Sequence, residues 1–325
     1  MTVSMLRNFI RRHGEIGIIL ICLALIAVFA STSAGKWANA YNLASIAQVT
    51  ATLGIMSLGV ALVIGTGEID ISVGSTFGFG ALVYLGIVMD VGPLPAALLA
   101  VAAGTLIGAV NGFLVTRFGA PSLIITLGTL LVFRGLAIAL TQGFSFSVPY
   151  KERSGLLYQT FGGGDFLGAN TAFWWLLLLL FALTVFVFAT RGGNRLLAVG
   201  GSAASAHSRG VRVNRVKLAA FTLAGALAAF AGTLEAGKLG YADGSMGRLM
   251  ELQAIAACVL GGCALAGGRI SLIGAVVGAF VLSSIQSYLV VMGVRPQWFI
   301  LLLGVIVVAA ALGDRVLRDW ALRGR

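Results

Sequence analysis

The chain has 325 residues, of which 59% are hydrophobic and only 10% are charged, and its mean hydropathy is +1.01. Soluble domains carry roughly 25% charged residues, so this composition excludes a water-soluble fold and predicts a single transmembrane domain over residues 1–325. The formal net charge of +11 does not indicate nucleic-acid binding, because the basic residues stand in short segments between apolar runs, where positive charge fixes orientation in the bilayer.

Ten apolar runs predict an all-α, polytopic bundle of eight to ten transmembrane helices, with ten favoured. The runs cover residues 16–34, 43–64, 71–89, 94–115, 121–140, 172–190, 216–234, 252–266, 270–292 and 296–312. The first is interpreted as a retained helix, since it is long for a signal peptide and no convincing cleavage site follows it. Run 252–266 is short for a crossing and run 71–89 is rich in glycine and serine, so either is also compatible with a broken or re-entrant element.

The basic residues are unequally distributed if ten helices cross and the N-terminus is cytoplasmic. The cytoplasmic set is then Arg7, Arg11, Arg12, Arg117, Arg191, Arg195, Arg209, Arg212, Arg215, Lys217, Arg269, Arg315, Arg318, Arg323 and Arg325. The outer set is Lys36, Lys151, Arg153, Lys238, Arg248 and Arg295. This bias agrees with the positive-inside rule and predicts a multi-pass inner-membrane protein with both termini in the cytoplasm.

Two connections are too long to be simple turns. In the predicted orientation the connection at about 142–171 is periplasmic and the one at about 191–215 is cytoplasmic. Long ordered connections often carry function, so both are candidate partner surfaces. Glycines also recur at helical spacing, at Gly104, Gly108 and Gly112 and at Gly274 and Gly278. We interpret these glycines as sites of close helix packing.

The sequence lacks the patterns of an enzyme. Neither Gly35-Lys36 nor Gly237-Lys238 has the glycine spacing and following hydroxyl of a phosphate-binding loop, so ATP hydrolysis is expected from another polypeptide. The histidines, His13 and His207, and the three cysteines, Cys22, Cys258 and Cys263, show neither metal-ligand spacing nor a disulfide framework. We therefore expect a transport subunit that binds no cofactor or metal and performs no catalysis.

Few ionisable residues fall within the apolar runs. Arg134 lies inside its run, and two interpretations stay open: it faces a polar pathway or partner carboxylate, or it has a structural role, pairing with a neighbouring helix or reaching toward the membrane interface. Glu235 lies near the end of its run and is interpreted as interfacial. Glu68 and Asp70 interrupt apolar sequence just before Ser72, so we predict that Asp70 caps the next helix and Glu68 complements its dipole.

Three stretches resemble one family of proteins. Residues 67–75, Gly-Glu-Ile-Asp-Ile-Ser-Val-Gly-Ser, resemble the hallmark of permeases in the ribose-type branch of bacterial ABC sugar importers, within the branched-chain and sugar permease superfamily. Residues 198–217 resemble the cytoplasmic loop thought to hold a coupling helix against the ATPase of these importers. Residues 251–268 resemble a later family motif beginning with Glu251, so the resemblance extends over nearly the whole chain.

The resemblance implies an ABC importer permease fold in a subunit that carries a monosaccharide or a related small polar solute inward. It implies four kinds of contact: a second permease subunit, identical or related; a cytoplasmic ABC ATPase holding the ATP and Mg; a periplasmic solute-binding protein; and the lipid bilayer. The competing hypothesis is a self-contained secondary transporter, which needs its own coupling-ion site.

The resemblance also implies two sets of site residues. The coupling loop is Gly200, Gly201, Ser202, Ala203, Gly210, Asn214, Arg215 and Lys217. The set for a pathway or gate is Glu68, Asp70, Ser72, Gly74, Arg134, Glu251 and Gln253. Two positions depart from the family pattern: Ala203 replaces an acid in the coupling loop, which bears on ATPase docking, and Gln253 stands where Asp is common.

Overall fold

The computed structural model describes residues 14–155 and 158–322 and shows a helical bundle. Its helices are α1 Gly14–Thr32, α2 Ala40–Gly65, α3 Val73–Val91, α4 Pro93–Phe118, α5 Ser122–Thr141, α6 Thr171–Ala189, α7 Arg191–Gly201, α8 Ala203–Ser208, α9 Val213–Leu239, α10 Met250–Leu260, α11 Leu272–Val291 and α12 Gln297–Leu322. Two short antiparallel pairs are also present, in which β1 Phe146–Ser147 pairs with β4 Tyr241–Ala242 and β2 Asp165–Phe166 pairs with β3 Ala169–Asn170.

Every predicted apolar run corresponds to a helix. Among the described residues, seven helices are long and apolar enough to cross a membrane, namely α2, α3, α4, α5, α6, α9 and α11. Shorter apolar stretches occupy Ile18–Thr32 in α1, Met250–Leu260 in α10 and Gln297–Ala309 in α12. The short run at 252–266 contains only the 11-residue helix α10 followed by turns, as its length predicted.

The helices divide into central and lipid-facing ones. In α2, 89% of the apolar window is buried, whereas the corresponding shares are 11% in α5 and 17% in α6. Helix α9 packs on α4, α3 and α2, so α2 and α9 form the centre of the bundle. Helices α5 and α6 expose large apolar side chains such as Ile124 and Phe181, which suits contact with lipid.

The recurring glycines lie where helices approach closely, as predicted. A Cβ atom at Gly104 or Gly108 would overlap the backbone of α9, and one at Gly278 would overlap the carbonyl of Ala257 in α10. Without side chains at these positions, α4 packs directly on α9 and α11 packs directly on α10.

Two non-helical segments interrupt the helical path, residues 66–72 between α2 and α3 and residues 243–249 between β4 and α10. The expectation of a broken element within 71–89 is wrong, because α3 runs unbroken from Val73 to Val91. The break precedes it. The order of long helix, non-helical segment and second helix therefore occurs twice, in α2–α3 and again in α9–α10.

The bundle has two distinct ends. At one, the Gly268 N–H donates to the Gly65 carbonyl at 3.1 Å, which brings the connection 261–271 to the end of α2. This end, called the basic end, comprises connections 119–121, 190–212 and 261–271. At the opposite end, β1 and β4 join connection 142–170 to the residues after α9. Arg7, Arg11, Arg12, His13, Arg323 and Arg325 lie outside the described residues.

Candidate functional site

Connection 190–212 folds into two short helices at the basic end. Thr190 caps α7 by accepting the Gly193 N–H at 3.3 Å, and Ser202 caps α8 by accepting the Ser205 N–H at 3.2 Å. Gly210 then adopts a positive φ of 81°, which favours glycine and turns the chain towards α9. Ala203, at the first position of α8, is exposed.

Two adjacent glycines end α7 and have opposite surroundings. A Cβ atom at Gly200 would overlap the Gly65 carbonyl and the Gly268 backbone nitrogen, whereas one at Gly201 would meet open space. Gly200 therefore lets α7 pack directly against the end of α2 and connection 261–271.

Two further predicted coupling residues anchor the start of α9. The Asn214 side chain donates to the Thr116 carbonyl at 3.3 Å, which links α9 to α4. The Lys217 ammonium forms an ion pair with the Glu68 carboxylate, and both side chains are largely buried. The prediction that Glu68 complements the dipole of α3 is thus corrected: its partner is a cation on α9, which also accounts for an acid on the basic end.

Asp70 organises the start of α3 from within the protein. It is 1% exposed, and its Oδ1 accepts the Ser72 N–H at 2.8 Å and the Ser72 hydroxyl at 2.6 Å. Ser72, rather than Asp70, occupies the cap position, so the predicted cap is replaced by a turn that holds the capping residue. Asn111 of α4 donates to the Ser72 hydroxyl at 2.7 Å, completing a buried chain of hydrogen bonds.

The backbone of segment 66–72 is satisfied by α5. The Ile69 N–H donates to the Ser122 hydroxyl and the Ile71 N–H to the Thr126 hydroxyl, each at 3.2 Å. Non-helical backbone inside a membrane protein requires such partners, because lipid supplies none. Helix α5 therefore fixes this segment as well as facing lipid.

Arg134 supplies a hydrogen-bond donor to the backbone of the second non-helical segment, residues 243–249. Its Nη1 donates to the carbonyls of Ser245 at 3.1 Å and Met246 at 2.6 Å. Of the two interpretations left open by the sequence, the structure shows pairing with a neighbouring element. The partners are backbone carbonyls rather than a carboxylate.

The helices that follow the two non-helical segments, α3 and α10, meet at Gly74 and Glu251. A Cβ atom at Gly74 would overlap Glu251 Oε2 and would lie 2.8 Å from the Gly247 carbonyl, so only glycine leaves room for the Glu251 carboxylate. Glu251 is 9% exposed, and its Oε2 has no hydrogen-bond partner among the described residues. Gln253 is half-buried on α10, and its side chain makes no hydrogen bond within the described part of the chain.

Comparison with known proteins decides the family. The model of the family described as "Branched-chain amino acid transport system / permease component" matches residues 42–311. The chain belongs to this permease family. The permease is thus a multi-pass membrane transport component, and the resemblance found in its three motifs is confirmed.

Similar curated proteins are import permeases. The permease is 34% identical over 296 residues to the ribose import permease protein RbsC of Escherichia coli K12, covering 91% of this chain and 92% of that protein. It is 36% identical over 310 residues to the autoinducer 2 import system permease protein LsrC of Enterobacter sp. (strain 638), covering 95% and 88%. No solved structure matches the permease.

Glu235 is a further ionisable residue and lies near the end of α9. Its carboxylate accepts from Gln48 at 3.2 Å and from Thr52 at 3.3 Å, both on α2. Glu235 therefore belongs to a polar cluster between α9 and α2, and its interfacial position stays a prediction. Gln48 was missed as a site residue, although an amide inside run 43–64 is a detectable signal.

The predicted site residues form two groups, as expected, but Glu68 joins the coupling group rather than the pathway group. One group makes contacts between helices at the basic end and consists of Gly200, Asn214, Lys217 and Glu68. The other group lies in or beside the two non-helical segments and consists of Asp70, Ser72, Gly74, Arg134 and Glu251. Asn111 was missed as a site residue, although an amide inside run 94–115 is a detectable signal. Among the described residues, no cluster of three or more His, Cys, Asp or Glu side chains is arranged to hold a metal ion.

Proposed function

We propose that the permease is the membrane-spanning subunit of an ATP-binding-cassette importer that moves a monosaccharide or a related small polar solute into the cytoplasm. The observation that carries this proposal is the packing of α7, which leads into α8, against the end of α2, beside the Glu68–Lys217 ion pair. This arrangement joins an exposed surface to the segment that bears the first family motif. The ribose and autoinducer 2 permeases among its relatives support the class of solute.

In this proposal the basic end faces the cytoplasm and the protein lies in the bacterial inner membrane, with both termini cytoplasmic. The support is the positive-inside rule, since Arg191, Arg195 and Arg209 belong to connection 190–212. The opposite end then faces the periplasm, where connection 142–170 exposes Tyr150 and Leu167 to a solute-binding protein.

The exposed residues of α8 are the docking surface for a separate ATPase, which holds the ATP and Mg. Ser202, Ala203, Ala204 and Ser205 are all exposed and small, so α8 presents a smooth surface that fits into a groove. With no acid at Ala203, docking rests on shape and on the neighbouring Arg209 rather than on a carboxylate. This accounts for the departure from the family pattern.

Movement of the docked helices reaches the centre through rigid contacts. Gly200 passes displacement of α7 to α2, and the Glu68–Lys217 pair makes segment 66–72 move with the start of α9. Segment 66–72 leads directly into Gly74, which touches Glu251. Packed elements with two discrete arrangements transmit such shifts, and here nucleotide binding would shift the packing between two permease subunits that enclose the solute.

A self-contained secondary transporter is the second candidate, because one observation favours it. Asp70 Oδ2 and Glu251 Oε2 are both buried and lack hydrogen-bond partners among the described residues, as expected of carboxylates that bind a coupling ion or proton. This candidate requires no ATPase, which separates it from the first.

The docking surface is tested by adding bulk to α8. We expect Ala203→Trp to reduce recovery of the ATPase with the tagged permease from native membranes by about tenfold, because overpacking a fitted contact costs about 1–3 kcal/mol. Ala102→Trp, at an exposed position of the lipid-facing side of α4, is the matched control and keeps full recovery. Equal recovery with both variants contradicts docking on α8.

A further inference from the structure

A groove at the basic end lies between α6, α7 and α9 and has a volume of about 520 Å³. It is lined by Phe186, Gly192, Arg195, Leu196, Gly210, Val211, Arg212, Arg215, Val216, Ala219, Ala220 and Leu223. Three of these residues are arginines and none is acidic. The groove therefore collects positive charge above an apolar floor.

The three arginines have no counter-charge among the residues that the structure describes. Neither Arg195, Arg212 nor Arg215 forms an ion pair or a side-chain hydrogen bond within residues 14–155 and 158–322. The nearby cation Lys217 is already paired with Glu68. Three guanidinium groups lie around one groove and repel one another. An anion with several acceptor oxygens would offset this repulsion and accept hydrogen bonds from the guanidinium groups, so the groove favours such a ligand.

The floor restricts what kind of anion fits. Its apolar lining includes Phe186, Leu196, Val216 and Leu223. The groove lies at the end of α6, on which Phe181, Val185 and Phe188 are 69%, 44% and 55% exposed and face lipid. A ligand that fills the groove and continues along α6 must combine an anionic head with hydrocarbon chains.

We propose that this groove binds the phosphate headgroup of an anionic phospholipid, whose acyl chains lie along α6. Basic pockets between helices at the cytoplasmic surface are suited to such headgroups. The groove lining includes no residue from 202 to 209, so the lipid site and the proposed ATPase-docking surface on α8 use different residues. The bound phosphate would link Arg195 on α7 to Arg212 and Arg215 at the start of α9, holding α7 in its docking position.

The test uses native mass spectrometry of the full-length permease with phosphatidylglycerol or phosphatidylcholine added in mild detergent. We expect the variant R195Q/R212Q/R215Q to lose at least about tenfold in affinity for phosphatidylglycerol, and affinity for phosphatidylcholine to be unaltered. The matched control is R117Q/R191Q/R269Q, which removes the same charge from exposed positions outside the groove and retains phosphatidylglycerol binding.

Three outcomes overturn the proposal. Equal loss in both triple variants shows a diffuse attraction of the basic end. Displacement of phosphatidylglycerol by an equal concentration of inorganic phosphate shows a soluble-anion site. Unchanged lipid binding with loss of the co-purifying ATPase in the groove variant shows a protein-docking site.

A second measurement on the unaltered protein covers the case in which the triple variant fails to fold. Phosphatidylglycerol with a photoreactive group in its acyl chain is irradiated with the permease in vesicles, and the attached positions are located by peptide mass spectrometry. Attachment at Phe186, Val216 or Leu223 supports the proposal. Attachment spread evenly over the lipid-facing helices contradicts it.

Discussion

Two adjacent residues, Gly200 and Gly201, have different tolerance for a methyl group. Gly200→Ala places its Cβ against the backbone of Gly65 and Gly268, which cannot withdraw as a side chain can. We expect a loss of about 1–3 kcal/mol in stability, seen as a lower midpoint in a thermal assay of monodisperse protein in detergent. Gly201→Ala is the control, since its Cβ meets open space. Equal midpoints for the two variants contradict the close packing of α7 on α2.

The ion pair between Glu68 and Lys217 is tested by exchanging its charges. The single variants Glu68→Lys and Lys217→Glu each place two like charges together in a largely buried contact, so we expect both to lose transport. The double variant restores the attraction, with a coupling energy of about 1 kcal/mol or more between the two sites. Solute uptake by cells that express each variant measures the loss in the single variants and its recovery in the double variant.

The control for that exchange is the more exposed pair of Lys238 and Asp165, which are 3.7 Å apart at the opposite end. Reversing these charges is expected to leave uptake unchanged, because solvent screens the pair. If the E68K/K217E variant takes up no more solute than the single variants, a direct role for the Glu68–Lys217 pair is contradicted.

At the scale of elements, the two non-helical segments depend on polar side chains from neighbouring helices. Arg134→Met removes the donor that serves the exposed Ser245 carbonyl and the partly buried Met246 carbonyl, and leaving the latter unpaired costs about 1 kcal/mol. We expect faster hydrogen exchange in peptides covering 243–249. Exposed Arg248→Met is the control, and unchanged exchange in R134M indicates that other contacts hold the segment.

The helices themselves were predictable, whereas the non-helical segments were not. Ten apolar runs located ten helices because burial in lipid demands a continuous apolar stretch. The sequence placed a possible break within 71–89, but the actual break, at 66–72, contains two acids that hydropathy cannot distinguish from an exposed loop. The contacts with Ser122 and Thr126 of α5, together with the burial of Asp70, show that this segment lies inside the protein.

At the scale of the whole molecule, distant motifs converge. The first motif supplies Gly74 and the third supplies Glu251, and the two residues touch. Both could be singled out from the sequence as family motifs, but nothing in the sequence says that they meet, because the contact depends on how α3 and α10 pack. Likewise, Glu68 and Lys217 were assigned to separate groups, and only the fold pairs them.

The central claim is that an ATPase drives this permease. The measurement that tests it most directly is ATP hydrolysis by the complex recovered with the tagged permease from native membranes in mild detergent. The account predicts a co-purifying ATPase whose hydrolysis is recovered with the wild-type chain and with A102W but not with A203W. Solute uptake by vesicles containing the permease alone, driven by an ion gradient and with no ATPase present, would contradict the account and establish a secondary transporter.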